Sequence, residues 1–307
     1  MHNGIVTIDS KCVNCRKCLE IDAGCLVASS LRLPEGGNKM GSINRYANMG
    51  FENSWIKSFF ENPQEFLTNP NIGSKKVDHL KKFLTDSEIC VPKTYSLTEF
   101  GRFIERIGFD NPISWGLIYS NMAYTAQINW WIKNIEFDRE YTQDELLALL
   151  DESLSKAARA HVVSAFKNIF ISNPILGREI GAGKCEFKIE RGSRSLISVT
   201  RTAWEDPDTR VILYALYKFA EACSSAEGEI YRQFSLRRLL DFSAESEGVS
   251  PAEIFGLDEL TLTRILTGLS ANYPDFILAQ FTHDLDVVTL NTEKRSIDVL
   301  TLFTDET

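Results

Sequence analysis

Histidine is scarce in this chain of 307 residues: there are four, and no two sit at a ligand spacing, which excludes a histidine-built metal centre. Long apolar runs are missing as well. None approaches the roughly 20 residues that a helix needs to cross a bilayer, so the chain reads as a soluble protein. There is no P-loop, no G-x-G-x-x-G and no G-x-S-x-G, which leaves ATP use and serine hydrolase chemistry unsupported. Low-complexity tracts are absent. So is a basic balance: the formal charge is −9, whereas a nucleic-acid binder acting alone usually draws its affinity from excess positive charge. Any contact with DNA must then come from a local patch or from partners. What remains is an ordinary globular composition, 44% hydrophobic and 24% charged, long enough for two or three small domains.

Four of the seven cysteines crowd into the first 25 residues, as Cys12, Cys15, Cys18 and Cys25, with the spacing C-x2-C-x2-C-x6-C. Three thiolates at such intervals can wrap one corner of a cuboidal cluster, and the segment resembles half of a bacterial-type ferredoxin. The expected cofactor is a 4Fe-4S cluster on these four cysteines, with structural zinc as the alternative. The resemblance breaks at Cys25, which lies seven residues after Cys18 and is followed by Leu26 where the ferredoxin pattern has proline. Disulfides are the weaker rival, because no export feature is expected and the cysteines point to a reducing cytoplasm. Cys90, Cys185 and Cys223 are scattered and read as small buried apolar residues.

Beyond the turn-rich Pro34–Asn38 the pattern becomes helical. The predicted organisation is an iron–sulfur module over 1–36, a helical domain over 37–155, and a second helical domain with a β-hairpin and winged helix over 156–307. The fold class is mainly α, within α+β: helical with winged-helix units and a small ferredoxin-like cluster loop. Ser96-Leu97-Thr98-Glu99 and Thr142-Gln143-Asp144-Glu145 read as capping boxes, and Asn111-Pro112 opens a further helix. Lys75, Lys76, Lys81 and Lys82 read as a solvated face. The aromatics Trp115, Tyr119, Tyr124, Trp130 and Trp131 recur at helical spacing and read as core. Lys156 to Ile171 is an amphipathic helix on which His161 reads as a packed residue. Cys185–Ile189 and Leu196–Thr200 are predicted strands of a hairpin, and Asp208–Cys223 a helix. The last hundred residues read as helix (Ser235–Phe242), helix (Asp258–Asn272), then two strands (Phe276–Phe281 and Leu285–Leu290), the parts of a winged helix-turn-helix. Its second helix offers only Arg264 beside Asp258 and Glu259, poor equipment for reading bases.

The densest basic stretch runs from Arg178 to Arg201, with six positive residues against three glutamates. Arg191 and Arg194 at the hairpin tip, with Arg201, are candidate nucleic-acid contacts, and Arg237 and Arg238 could extend that surface. Glu186-x-Lys188 on the first strand has the look of the acid–lysine pair of metal-dependent nucleases, which makes these two the candidate catalytic residues. No partner aspartate lies just upstream.

Gly50-Phe51 with Trp55, Leu97-Thr98-Glu99-Phe100-Gly101, Asp110-Asn111-Pro112 with Trp115, and Ser235-Leu236 through Leu239-Leu240 carry a resemblance. On them, 49–303 is similar to the DUF4007-type family of helical bacterial proteins. The resemblance implies an accessory of DNA phosphorothioation-based phage defence, partnered with a PAPS-reductase-like sulfur-transfer protein and nicking DNA to assist sulfur insertion. It identifies no catalytic residue. Two other readings stay open: a non-enzymatic redox or scaffold partner of the reductase-like enzyme, and a redox-sensing winged-helix regulator.

Overall fold

The computed structural model describes residues 43–63, 73–190, 193–223, 232–243, 248–282 and 285–303, with the backbone alone at 190, 193, 194 and 285. Cys12, Cys15, Cys18 and Cys25, and with them the expected cluster loop, lie outside the described residues, as do Arg191 and His283. The rest is mixed helix and sheet. Among the described residues no helix is long and apolar enough to cross a membrane.

The chain runs through α1 (Asn53–Glu61), α2 (Ser74–Asp86), α3 (Glu99–Ile107), α4 (Pro112–Met122) and α5 (Ala126–Asn134). Then come β1 (Glu140–Tyr141), α6 (Gln143–Leu149), α7 (Lys156–Ser172), a π-helical turn (Ile175–Glu179), β2 (Lys184–Glu190) and β3 (Ser193–Thr200). After α8 (Thr209–Ala222) follow β4 (Gln233–Phe234), α9 (Leu236–Leu239), α10 (Pro251–Phe255), α11 (Glu259–Asn272), β5 (Ile277–Thr282), β6 (Leu285–Leu290) and α12 (Ser296–Val299).

Helix starts follow local chemistry. Thr142 forms the expected capping box with Glu145, and the Asn111 side chain accepts from Ser114 N ahead of Pro112. The first expected box shifts by two residues: the Thr98 hydroxyl, not Ser96, caps α3 by accepting from Gly101 N. The predicted helix over 235–242 shortens to α9, with Ser235 as its cap.

One hydrophobic core extends from Tyr46 to Phe303. At its centre lies α4, whose residues Ser114 to Met122 are all buried, packed on α8. Gly116 permits this approach, since a Cβ there would meet the Trp204 ring at 2.8 Å and Val211 Cγ1 at 2.9 Å. The expectation of aromatic core holds for Trp115, Tyr119 and Trp131, which are fully buried, while Tyr124 and Trp130 are half-buried.

Among the described residues there are two antiparallel sheets of three strands each, ordered first–third–second: β1-β3-β2 and β4-β6-β5. Each is laid down the same way: a helix, a two-residue strand, further helices, then a hairpin. The correspondence reaches single residues. Glu140-Tyr141 pairs with Thr200 and Val199, and Gln233-Phe234 pairs with Thr289 and Val288. Both short strands point their aromatic inward and are followed by a hydroxyl cap, Thr142 or Ser235. The first sheet joins residues on both sides of position 155, where the sequence divides its two helical domains.

Candidate nucleic-acid interface

In the first of these units, α5 to β3, the positive charge lies in the second half. From Lys156 to Thr200 there are eight lysines and arginines against three glutamates, a net of +5, while 126–155 carries two against seven acids and brings the unit to zero in a chain of −9. α7 contains Lys156, Arg159, His161 and Lys167 and no acid. Its inner face, with Val162, Val163, Phe166, Ile169 and Phe170, is buried, and Phe166 and Phe170 stack against Trp131 of α5 at 4.6 and 5.0 Å. The outer face presents Lys156, Ala157, Ala160 and His161, all exposed. The expectation that His161 is packed is thus corrected: the helix has two faces, and His161 falls with the small and polar residues. Lys75, Lys76 and Lys82 are solvent-exposed as expected, with Lys76 over the Trp55 ring at 5.1 Å, whereas Lys81 is half-buried over the Tyr95 ring at 5.1 Å.

The hairpin β2–β3 is the expected one, with β3 starting three residues earlier than expected and β2 one residue longer at each end. It carries an irregularity: Glu186 pairs with Ser198, whereas Phe187 pairs with Leu196, so Ile197 is the extra residue of a bulge. Glu186 and Lys188 lie two apart on β2 and are both exposed. Among the described residues no group of three or more His, Cys, Asp or Glu side chains could hold a metal. Ile189 is 76% exposed near the tip, and Ile197 is 47% exposed.

The other candidate arginines part company. Arg194 is the second residue of β3, and its side chain lies outside the described atoms. Arg237 is exposed at the end of α9, while Arg238 is half-buried over Phe219 at 5.3 Å. Arg201 belongs to no surface: it is 1% exposed. Its guanidinium donates to Ile132 O (2.7 Å) and Ile135 O (3.2 Å) at the end of α5, and to Glu253 O and Ile254 O (3.1 Å) at the end of α10. The Phe137 ring lies 4.0 Å away. A cation is well placed there, because two helix C-termini converge with carbonyls that their own helices leave unpaired. The nearby Lys133–Glu253 ion pair (2.7 Å) joins the same two helices, and burial pushes the Glu253 carboxyl above its usual range against the pull of Lys133. Arg201 is therefore a clamp between the two units, not a contact for phosphate.

Cys90 and Cys185 are buried as expected, and Cys223 is half-buried. Burial raises the Cys90 thiol pKa to about 12, which keeps it protonated and inert. Of the motif residues singled out in the sequence, Phe51 and Trp115 are core (2% and 0% exposed), Gly101 leaves room for Ile89 O, Thr98, Asn111 and Ser235 are helix caps, and Glu99 and Asp110 are exposed.

The reading direct from sequence missed the first unit, because β1 has two residues and shows no alternation. The signal was present as a short internal repeat, Glu140-Tyr141-Thr142 against Gln233-Phe234-Ser235 and Val199-Thr200 against Val288-Thr289. No protein-family model, curated protein or solved structure matches the chain.

Proposed function

We propose that this chain is a DNA-engaging accessory protein built on two tandem winged-helix units, α5 to β3 and α8 to β6. The observation that carries the reading is the repeated arrangement itself, with its first–third–second sheets and with an acid-free basic helix leading into a hairpin in the first copy. An acidic chain can bind a polyanion when positive charge is gathered locally, as the net +5 of 156–200 is. The family resemblance supports a setting in DNA phosphorothioation beside a PAPS-reductase-like partner. The spacing of Cys12, Cys15, Cys18 and Cys25 supports a 4Fe-4S cluster in the N-terminal segment.

The test is binding of the full chain to a fluorescent duplex of about 30 base pairs. For three to five phosphate contacts, raising salt from about 50 to about 200 mM should weaken binding roughly 40- to 500-fold. Absence of binding at the lower salt, or binding indifferent to salt, would overturn the reading. Nicking rests on Glu186 and Lys188 alone. Magnesium-dependent nicking of supercoiled plasmid that disappears in Glu186→Ala would support it, and nicking that survives would remove this pair from the reading. Iron and acid-labile sulfide near four each per chain would support the cluster, whereas one zinc without sulfide would replace it.

A further inference from the structure

We infer that the duplex is read by the first unit, with residues 156–167 of α7 in the major groove and the β2–β3 hairpin against the flanking backbone. The second unit does not read it. This rests on the proposed function and assigns the contact within it.

The two helices in equivalent positions differ in charge and in relief. α11 opens with Asp258 and Glu259, presents Leu260 79% exposed, and has Arg264 as its single cation. A negative helix start facing phosphates is repulsive. α7 has the opposite character. Among the described residues Lys156, Arg159 and Lys167 make no ion pair, so no internal partner competes for them.

The outer stripe of α7 is also shallow. At 100° per residue, Lys156, Ala157, Ala160, His161, Ser164 and Lys167 fall on one side of the helix, opposite the buried Val162, Phe166 and Phe170. Alanine and serine let the helix axis approach the floor of a groove about 12 Å wide. Lys156 and Lys167, eleven residues apart and so about 16 Å along the axis, stand at the two ends of that shallow stretch, where phosphates border it. His161 lies between them with a ring nitrogen that can meet a base edge.

The hairpin follows from the same unit. Lys184 and Lys188 are exposed on one face of β2 with Glu186 between them, and Ile189, on the opposite face near the tip, is the most exposed large apolar residue described in the sheet. Opposing charges exist and bear on the test. Asp151 and Glu152 are exposed in the turn before α7, where Asp151 accepts from Ser153 N at 2.7 Å. On α6, Asp144 is exposed, and Glu145 is held by Thr142 and lies 3.7 Å from Arg139.

Three full-length variants test the assignment by anisotropy with the same duplex. Lys156→Glu with Lys167→Glu should weaken binding roughly 10- to 100-fold and flatten the salt slope by about two. Asp151→Asn with Glu152→Gln should tighten binding several-fold, a gain that no folding defect can mimic. Arg264→Glu should change affinity less than about twofold. The assignment is overturned if Arg264→Glu abolishes binding while the α7 pair binds as wild type, or if neutralising Asp151 and Glu152 leaves affinity unchanged. A wild-type chain that binds no duplex sinks the proposed function instead, and that outcome is distinct from the first two.

Discussion

Replacing Arg201 by methionine keeps the packing of the stem and deletes the charged head. Four carbonyls at the ends of α5 and α10 then lose their donor. Hydrogen bonds from a charged donor contribute about 1.5–3 kcal/mol each, so four are worth on the order of 6–12 kcal/mol gross. Against this stands a desolvation cost of several kcal/mol for burying the guanidinium. The net loss expected for Arg201→Met is about 3–5 kcal/mol, the range found when one partner of a buried charged cluster is removed. For a chain of this size that lowers Tm by about 5–8 °C. Arg201→Lys keeps the charge but has three donors in place of a planar fork, and it should recover about half of the loss. The assay is thermal unfolding followed by circular dichroism. The carbonyls lie 52 to 69 residues away from Arg201 in sequence, so the unfolding of both units should shift together. A melting point for Arg201→Met within about 2 °C of wild type would refute the clamp.

Three further outcomes follow from the packing. His79 is buried, with Nε2 2.8 Å from Gly50 O, and burial lowers its pKa to about 4. Because the folded state resists the proton that the unfolded chain takes up near pH 6.5, stability is intact above that pH. It falls by at most about 3 kcal/mol as pH drops toward 4. Urea unfolding at several pH values should show this loss in wild type and not in His79→Gln; parallel profiles would contradict it. Gly101→Ala would place a Cβ 2.1 Å from Ile89 O, a backbone atom that cannot swing aside, and should cost about 1–3 kcal/mol or more in the same unfolding assay. Thr142→Ala removes one half of a capping box and should cost about 1 kcal/mol, read as a small fall in the urea midpoint with unchanged slope.

Helices with a marked start were legible within a residue or two. Asp208, Asp258 and Asn111 stand as the caps of α8, α11 and α4 because a short polar side chain before an apolar period has few other uses. Both long hairpins were legible from β-branched runs. The two-residue strands β1 and β4 were not, since their identity lies in their partners, Val199-Thr200 and Val288-Thr289, far along the chain. α10 was missed for the same reason: five residues behind the Ser250 cap are too short for periodicity, and their burial is decided by α8 and α5. For the site, net charge marked 178–201 as a basic stretch. It could not say that Arg201 points inward, because burial of an arginine depends on helix ends that converge only in the folded chain. Nor could periodicity alone turn His161 outward. That required knowing which side of α7 meets Trp131.

The most direct measurement is hydrogen–deuterium exchange of the full chain with and without a short duplex, resolved to peptides. DNA should slow exchange across 156–167 and 184–200 and leave 258–272 unchanged. Protection concentrated on 258–272, with none on α7, would contradict the claim that this chain meets DNA through its first unit.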